Sequence, residues 1–184
     1  MFQGIVRKAR PDDAPAIAAV HVSVSRETYA HLFSAEELGQ FSVAHRARQW
    51  HAMIGERDRA DLAVFVAESA ADKTISGFGC CSRQRSDMLV EQGFNGEFQS
   101  IYILPPAQGR GLGRALMAEM ARYLSALAIS GGACWVLRGN AGAHRFYEAL
   151  GGEIVGEQAL GPDTEATLTQ VAYGWRNLAA LSGD

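Results

Sequence analysis

Apolar positions recur along this chain with two different periods, and the changes between them mark out its elements. The segment Gly4–Arg10 reads as a short strand stopped by Pro11. Asp12 or Asp13 then caps a helix whose apolar residues Ile17, Val20 and Val24 are three and four apart. A second helix is expected from Ser34 towards Trp50, with Glu36 and Glu37 at its positive end. The compact runs Leu62–Glu68 and Thr74–Cys80, joined by polar Ser69–Lys73, predict a hairpin. The polar stretch Arg83–Gly96 reads as a long loop, and Glu97–Leu104 as a strand closed by Pro105 and Pro106. Helical spacing returns in Leu112, Leu116, Met120, Tyr123 and Leu127, until Gly131 and Gly132 end the run. Cys134–Leu137 predicts a buried strand, and Asn140 caps a helix containing Phe146, Tyr147 and Leu150. Strands around Ile154 and Val155 and from Thr167 to Trp175 complete the series. This order is neither an all-helical bundle nor a regular βαβ alternation, and it predicts an α/β fold with a mixed sheet flanked by helices.

Length and composition narrow the setting. A chain of 184 residues lies within the size of one domain, expected to span residues 1–184. The formal charge of −3 argues against a general nucleic-acid binder. The cysteines Cys80, Cys81 and Cys134 are odd in number and lack a CxxC spacing, so neither a disulfide framework nor a zinc site is expected. No apolar run reaches the length of a signal core or a membrane span, and the protein is expected in the cytoplasm without a membrane or nucleic-acid partner. A homodimer is compatible with this setting.

The segment with most chemical content is Gln108-Gly109-Arg110-Gly111-Leu112-Gly113-Arg114, at the junction of a strand with a long helix. The first amides of a helix lack internal partners and carry partial positive charge, and glycines keep side chains away from them. Such a junction suits a phosphate group, with Arg110 and Arg114 able to add charged contacts. A Walker loop is absent, and a GxGxxG fingerprint fails because its third glycine would fall on Arg114. The string Gln108-x-x-Gly111-x-Gly113 resembles the pyrophosphate loop of the GNAT acetyltransferases. The strand before it and the helix after it resemble that family's central strand and following helix. The resemblance implies acetyl-CoA as co-substrate, its pyrophosphate on the backbone of Gly109–Arg114 and its pantetheine arm along Ile101, Tyr102 and Ile103.

A second string, Trp135 to Gly152, resembles the family's other motif, in which a helix-capping Asn is followed seven residues later by a Tyr. Asn140 and Tyr147 match in identity and spacing. The resemblance implies that Asn140 touches the pantetheine and that Tyr147 protonates the departing thiolate. It also implies a single GNAT-like domain whose mostly antiparallel sheet splays between the Ile101 and Val136 strands. The amine must lose a proton before it attacks, and Glu97 occupies a position where many members of the family carry a carboxylate for that purpose. His21 is expected as a core histidine, His144 as a solvent-facing residue, and His31 lies in the segment near Tyr29 that in this family often borders the acceptor pocket. No metal spacing or nucleophile motif is present. The expected function is acetyl transfer to an amine of a small molecule or peptide within a ternary complex. A non-catalytic acetyl-CoA-sensing module and a protein N-terminal acyltransferase are the alternatives. Acceptor choice is expected to reside in residues 21–50, 83–96 and 158–170.

Overall fold

The structure is a computed structural model that describes residues 4–29, 42–55, 61–160 and 168–183. Its strands are β1 (Gly4–Lys8), β2 (Ala63–Ser69), β3 (Ile75–Arg83), β4 (Gly96–Ile103), β5 (Gly132–Leu137), β6 (Glu153–Leu160) and β7 (Leu168–Trp175). Its helices are α1 (Ala14–Tyr29), α2 (Val43–Gly55), α3 (Asp87–Glu91), α4 (Leu112–Ala126), α5 (Ala141–Ala149) and α6 (Ala179–Ser182). The seven strands run in the order β1-β2-β3-β4-β5-β7-β6. The β1–β2, β5–β7 and β6–β7 ladders are antiparallel, whereas β4–β5 is parallel, giving the expected mixed α/β sheet. The β4–β5 ladder pairs Gly96 with Gly132 and Glu97 with Ala133. The chain clusters into two compact units, Met1–Cys80 with Ser100–Met120, and Cys81–Gln99 with Ala121–Asp184.

In the first unit, Ile17, Val20 and Val24 of α1 pack with Trp50 of α2, Val64 and Val66 of β2, and Phe78 of β3. These are the helix positions whose spacing signalled a buried face, and burial of each large side chain stabilises by roughly 1.5–3 kcal/mol. Neither candidate stands at the cap position: Arg10 is the N-cap of the turn Pro11–Asp13 that leads into α1, and Asp13, the last residue of that turn, accepts the Arg10 amide at 2.7 Å. The same carboxylate takes two nitrogens of Arg7, at 2.7 and 2.9 Å, while Arg7 Nε donates to Glu68 at 2.7 Å. The guanidinium therefore ties β1, β2 and the start of α1 together, and it holds the Asp13 carboxyl below the usual carboxylate range. The β2–β3 hairpin forms as expected, with Ser69 N–H donating to the Thr74 carbonyl and Asp72 Oδ1 accepting from the Thr74 amide and hydroxyl. The second helix is described from Val43, and the expected start at Ser34 with Glu36 and Glu37 lies outside the described residues.

In the second unit, Leu89, Phe94, Ala133 and Ala172 form a core flanked by Trp135 and Val155. Leu89 belongs to α3, within the stretch Arg83–Gly96 that the sequence presents as loop. The correction has a simple cause. A five-residue helix is too short to display a period, and burial of Leu89 rather than propensity holds it in place. The last strand is described from Leu168, and β6 is longer than its two apolar residues suggested.

Candidate functional site

The glycine loop lies in the first unit. After β4 ends at Ile103, Pro105–Ala107 make one 3-10 turn, and the Gln108 side chain reaches back to donate to the Ile103 carbonyl at 3.0 Å. Gly109 and Gly111 have φ of +70° and +89°, a region that favours glycine. A β-carbon added at either would meet nothing within 4 Å, so the space above both is open. The first helical bond of α4 runs from Ala115 N–H to the Gly111 carbonyl at 3.0 Å. The amides of Leu112, Gly113 and Arg114 thus precede the intrahelical ladder, and the arginines Arg110 and Arg114 flank them on the surface. Beside this loop, Ile101, Tyr102 and Ile103 are half-buried on β4. The arrangement supplies backbone donors, a helix dipole and two cations to an anion.

Also in this unit, His21 is the expected core histidine. Its Nδ1 accepts from Trp50 Nε1 at 3.2 Å, and its ring lies 4.6 Å from that of Tyr102. Burial pushes the imidazole down to about 4, so it is neutral near pH 7. His31 lies outside the described residues.

The remaining candidates belong to the second unit. Asn140 caps α5, its Oδ1 accepting from the Ala143 amide at 3.1 Å. That bond commits the oxygen and leaves the amide nitrogen as the end that can donate elsewhere. Tyr147, 8% exposed, packs among Phe146, Tyr173 and Trp175, and its phenol interacts with the Cys134 side chain in the sense that favours the thiolate. Burial pushes that thiol up to about 12, and the nearby Glu97 carboxylate acts in the same direction. Glu97 and Tyr147 are therefore both brought to Cys134. Glu97 is 6% exposed, and both of its oxygens are held by Arg85, at 2.7 and 2.8 Å. It is thus a buried, ion-paired carboxylate rather than a strand-end charge in solvent.

Sequence reasoning missed several partners. Arg85 sits in an apparently featureless polar stretch, with no periodic relation to Glu97. His144, expected to face solvent, is half-buried: its Nδ1 lies 2.9 Å from the Tyr173 hydroxyl and its Nε2 3.2 Å from the Leu137 carbonyl. A strand 29 residues later supplies that hydroxyl, and no local pattern could have announced it. Among the described residues no group of three His, Cys, Asp or Glu could hold a metal ion, and no helix is long and apolar enough to cross a membrane.

The model of the acetyltransferase (GNAT) family matches residues 26–152, which include both the glycine loop and the Asn140–Tyr147 segment. The chain belongs to the GNAT acetyltransferase family. It is accordingly an acyltransferase enzyme. This acetyltransferase is 31% identical over 176 residues to YuaI, an uncharacterised N-acetyltransferase of Bacillus subtilis strain 168, covering 96% of this chain and 95% of that protein. Its fold is similar to that of the PaiA N-acetyltransferase of Thermoplasma acidophilum, solved in complex with coenzyme A, with a TM-score of 0.72, 18% identity, and coverage of 95% and 100% of the two chains. It is also similar to a phosphinothricin acetyltransferase of Sinorhizobium meliloti solved with acetyl-CoA, with a TM-score of 0.66, 20% identity, and coverage of 96% and 89%.

Proposed function

We propose that this acetyltransferase binds acetyl-CoA and transfers its acetyl group directly to the amine of a small molecule or peptide. The observation that carries the reading is the bare loop of positive-φ glycines opening onto the first amides of α4. The pyrophosphate is assigned to the backbone of Gly109–Arg114, with Gln108 bracing the loop against Ile103 and Arg110 and Arg114 adding charge. The pantetheine is assigned to the main chain of Ile101, Tyr102 and Ile103, and to the Asn140 amide nitrogen. Residues 1–184 are read as one catalytic domain, located in the cytoplasm.

The amine nitrogen attacks the thioester carbonyl, a C–N bond forms and the C–S bond breaks. Glu97 takes the amine proton, directly or through water, once Arg85 releases one carboxylate oxygen. Tyr147 gives its phenolic proton to the departing thiolate. The burial of the Tyr147 ring on α5, seven residues after the capping Asn140, supports this assignment. The closing test is a thiol-release assay with acetyl-CoA against polyamines, aminoglycosides, amino acids and peptides, run beside calorimetry of coenzyme binding. Amine-dependent thiol release is expected. Binding without any amine response would leave a sensing module instead, and absence of binding would overturn the reading altogether.

A further inference from the structure

Tyr173 is buried to 1% exposure in the middle of β7, yet its hydroxyl is bonded at both ends of one helical turn. It donates to Glu148 Oε1 at 2.9 Å and lies 2.9 Å from His144 Nδ1. His144 and Glu148 are four apart on α5 and so occupy one face of that helix, with Tyr147 beside them. The Tyr147 and Tyr173 ring centroids are 5.7 Å apart. Two residues further along the same face of β7, Trp175 donates its indole N–H to the Leu150 carbonyl at 3.0 Å, just beyond the helix. His144 Nε2 faces the Leu137 carbonyl at the end of β5, and because a carbonyl only accepts, this nitrogen carries a hydrogen. The Tyr173 hydroxyl donates to Glu148 and also lies against His144 Nδ1, so the phenol is the link common to both helix residues.

We infer that Tyr173 is a positioning residue for the proposed acetyl transfer: by holding His144 and Glu148 at once it fixes the rotation of α5 and thereby the aim of Tyr147. The inference rests on the assignment of Tyr147 as proton donor. Packing alone would not need the hydroxyl, since a phenylalanine ring fills nearly the same volume. A buried hydroxyl with two partners on one helix restricts that helix to a single orientation.

The test compares Tyr173→Phe, which keeps the ring, with Glu148→Gln, which keeps an acceptor oxygen for the phenol. In Tyr173→Phe, kcat should fall on the order of 10- to 100-fold, because small misplacements of a reacting group are costly. KM for acetyl-CoA should stay within about twofold, and Glu148→Gln should retain most of the turnover. In a Tyr147→Phe background the Tyr173 substitution should cost less than about twofold more, the signature of action through Tyr147. Independently of activity, amide hydrogen exchange of residues 144–149 should become about tenfold faster in Tyr173→Phe while that of α4 is unchanged. Unchanged exchange would overturn the clamp whatever the kinetics. Faster exchange with wild-type kcat, or an undiminished effect in the Tyr147→Phe background, would overturn its catalytic role. Wild-type turnover in Tyr147→Phe alone would instead remove the proton-donor assignment, and the exchange measurement would still decide the clamp.

Discussion

Gly111 is the position where the smallest chemical change should have the largest effect on this acetyltransferase. Its φ of +89° strains any other residue, and its Cα faces open space beside amides that precede the α4 ladder. Gly111→Arg should therefore fill the phosphate cradle and abolish acetyl-CoA binding, and calorimetry showing normal affinity would defeat the cradle assignment. At Tyr147 the expectation is the reverse. Tyr147→Phe should bind the coenzyme normally while kcat drops on the order of 100-fold, the usual contribution of a general acid. Glu97→Gln separates two roles that share one carboxylate. A loss of turnover of about 100-fold or more with coenzyme affinity preserved is expected of a base, whereas wild-type kinetics would reduce Glu97 to the structural partner of Arg85.

At the scale of elements, the pair of interactions around α1 should make stability depend on pH in two ranges. Asp13 has a folded-state pKa lowered mainly by its hydrogen bonds to Arg7, so its contribution is complete above the unfolded value and is lost as pH falls through the acid range. Asp13→Asn should cost about 1.5–3 kcal/mol at pH 7, the usual cost of losing a hydrogen bond to a charged group, and much less at pH 2–3, as read from urea midpoints. His21 acts in a higher window. Its pKa is depressed by burial from 6.5 to about 4, so the unfolded chain binds the proton first and stability declines as pH falls from 6.5 towards 4. The decline is on the order of 2–3 kcal/mol, and His21→Gln should flatten it.

These elements also show what the chain makes legible in advance. Helices with several turns and a repeated apolar face, α1 and α4, and the strands between prolines or glycines could be read because their signals are local. So could Asn140 and the glycine loop, where identity and spacing lie within one turn. What could not be read depends on distant pairing: Leu89 makes a helix only because a core receives it, Arg85 finds Glu97 from the other side of α3 in the sequence, and His144 of α5 finds Tyr173 of β7.

For the molecule as a whole, β3, β4 and α4 each pass through both compact units, so neither unit owns a complete set of its elements. Unfolding should accordingly be a single calorimetric transition, and two resolved transitions would show that the units melt separately. Acetyl-CoA at 100 times its Kd should raise the stability of that one transition by about 2.7 kcal/mol.

All three cysteines are thiols outside any disulfide, buried to 1% exposure or less. Aromatic disulfide reagents, which consume accessible thiolates, should therefore find nothing to react with in the native enzyme and three equivalents after denaturation. A colour change during turnover would then count coenzyme molecules released, with no background from the catalyst itself.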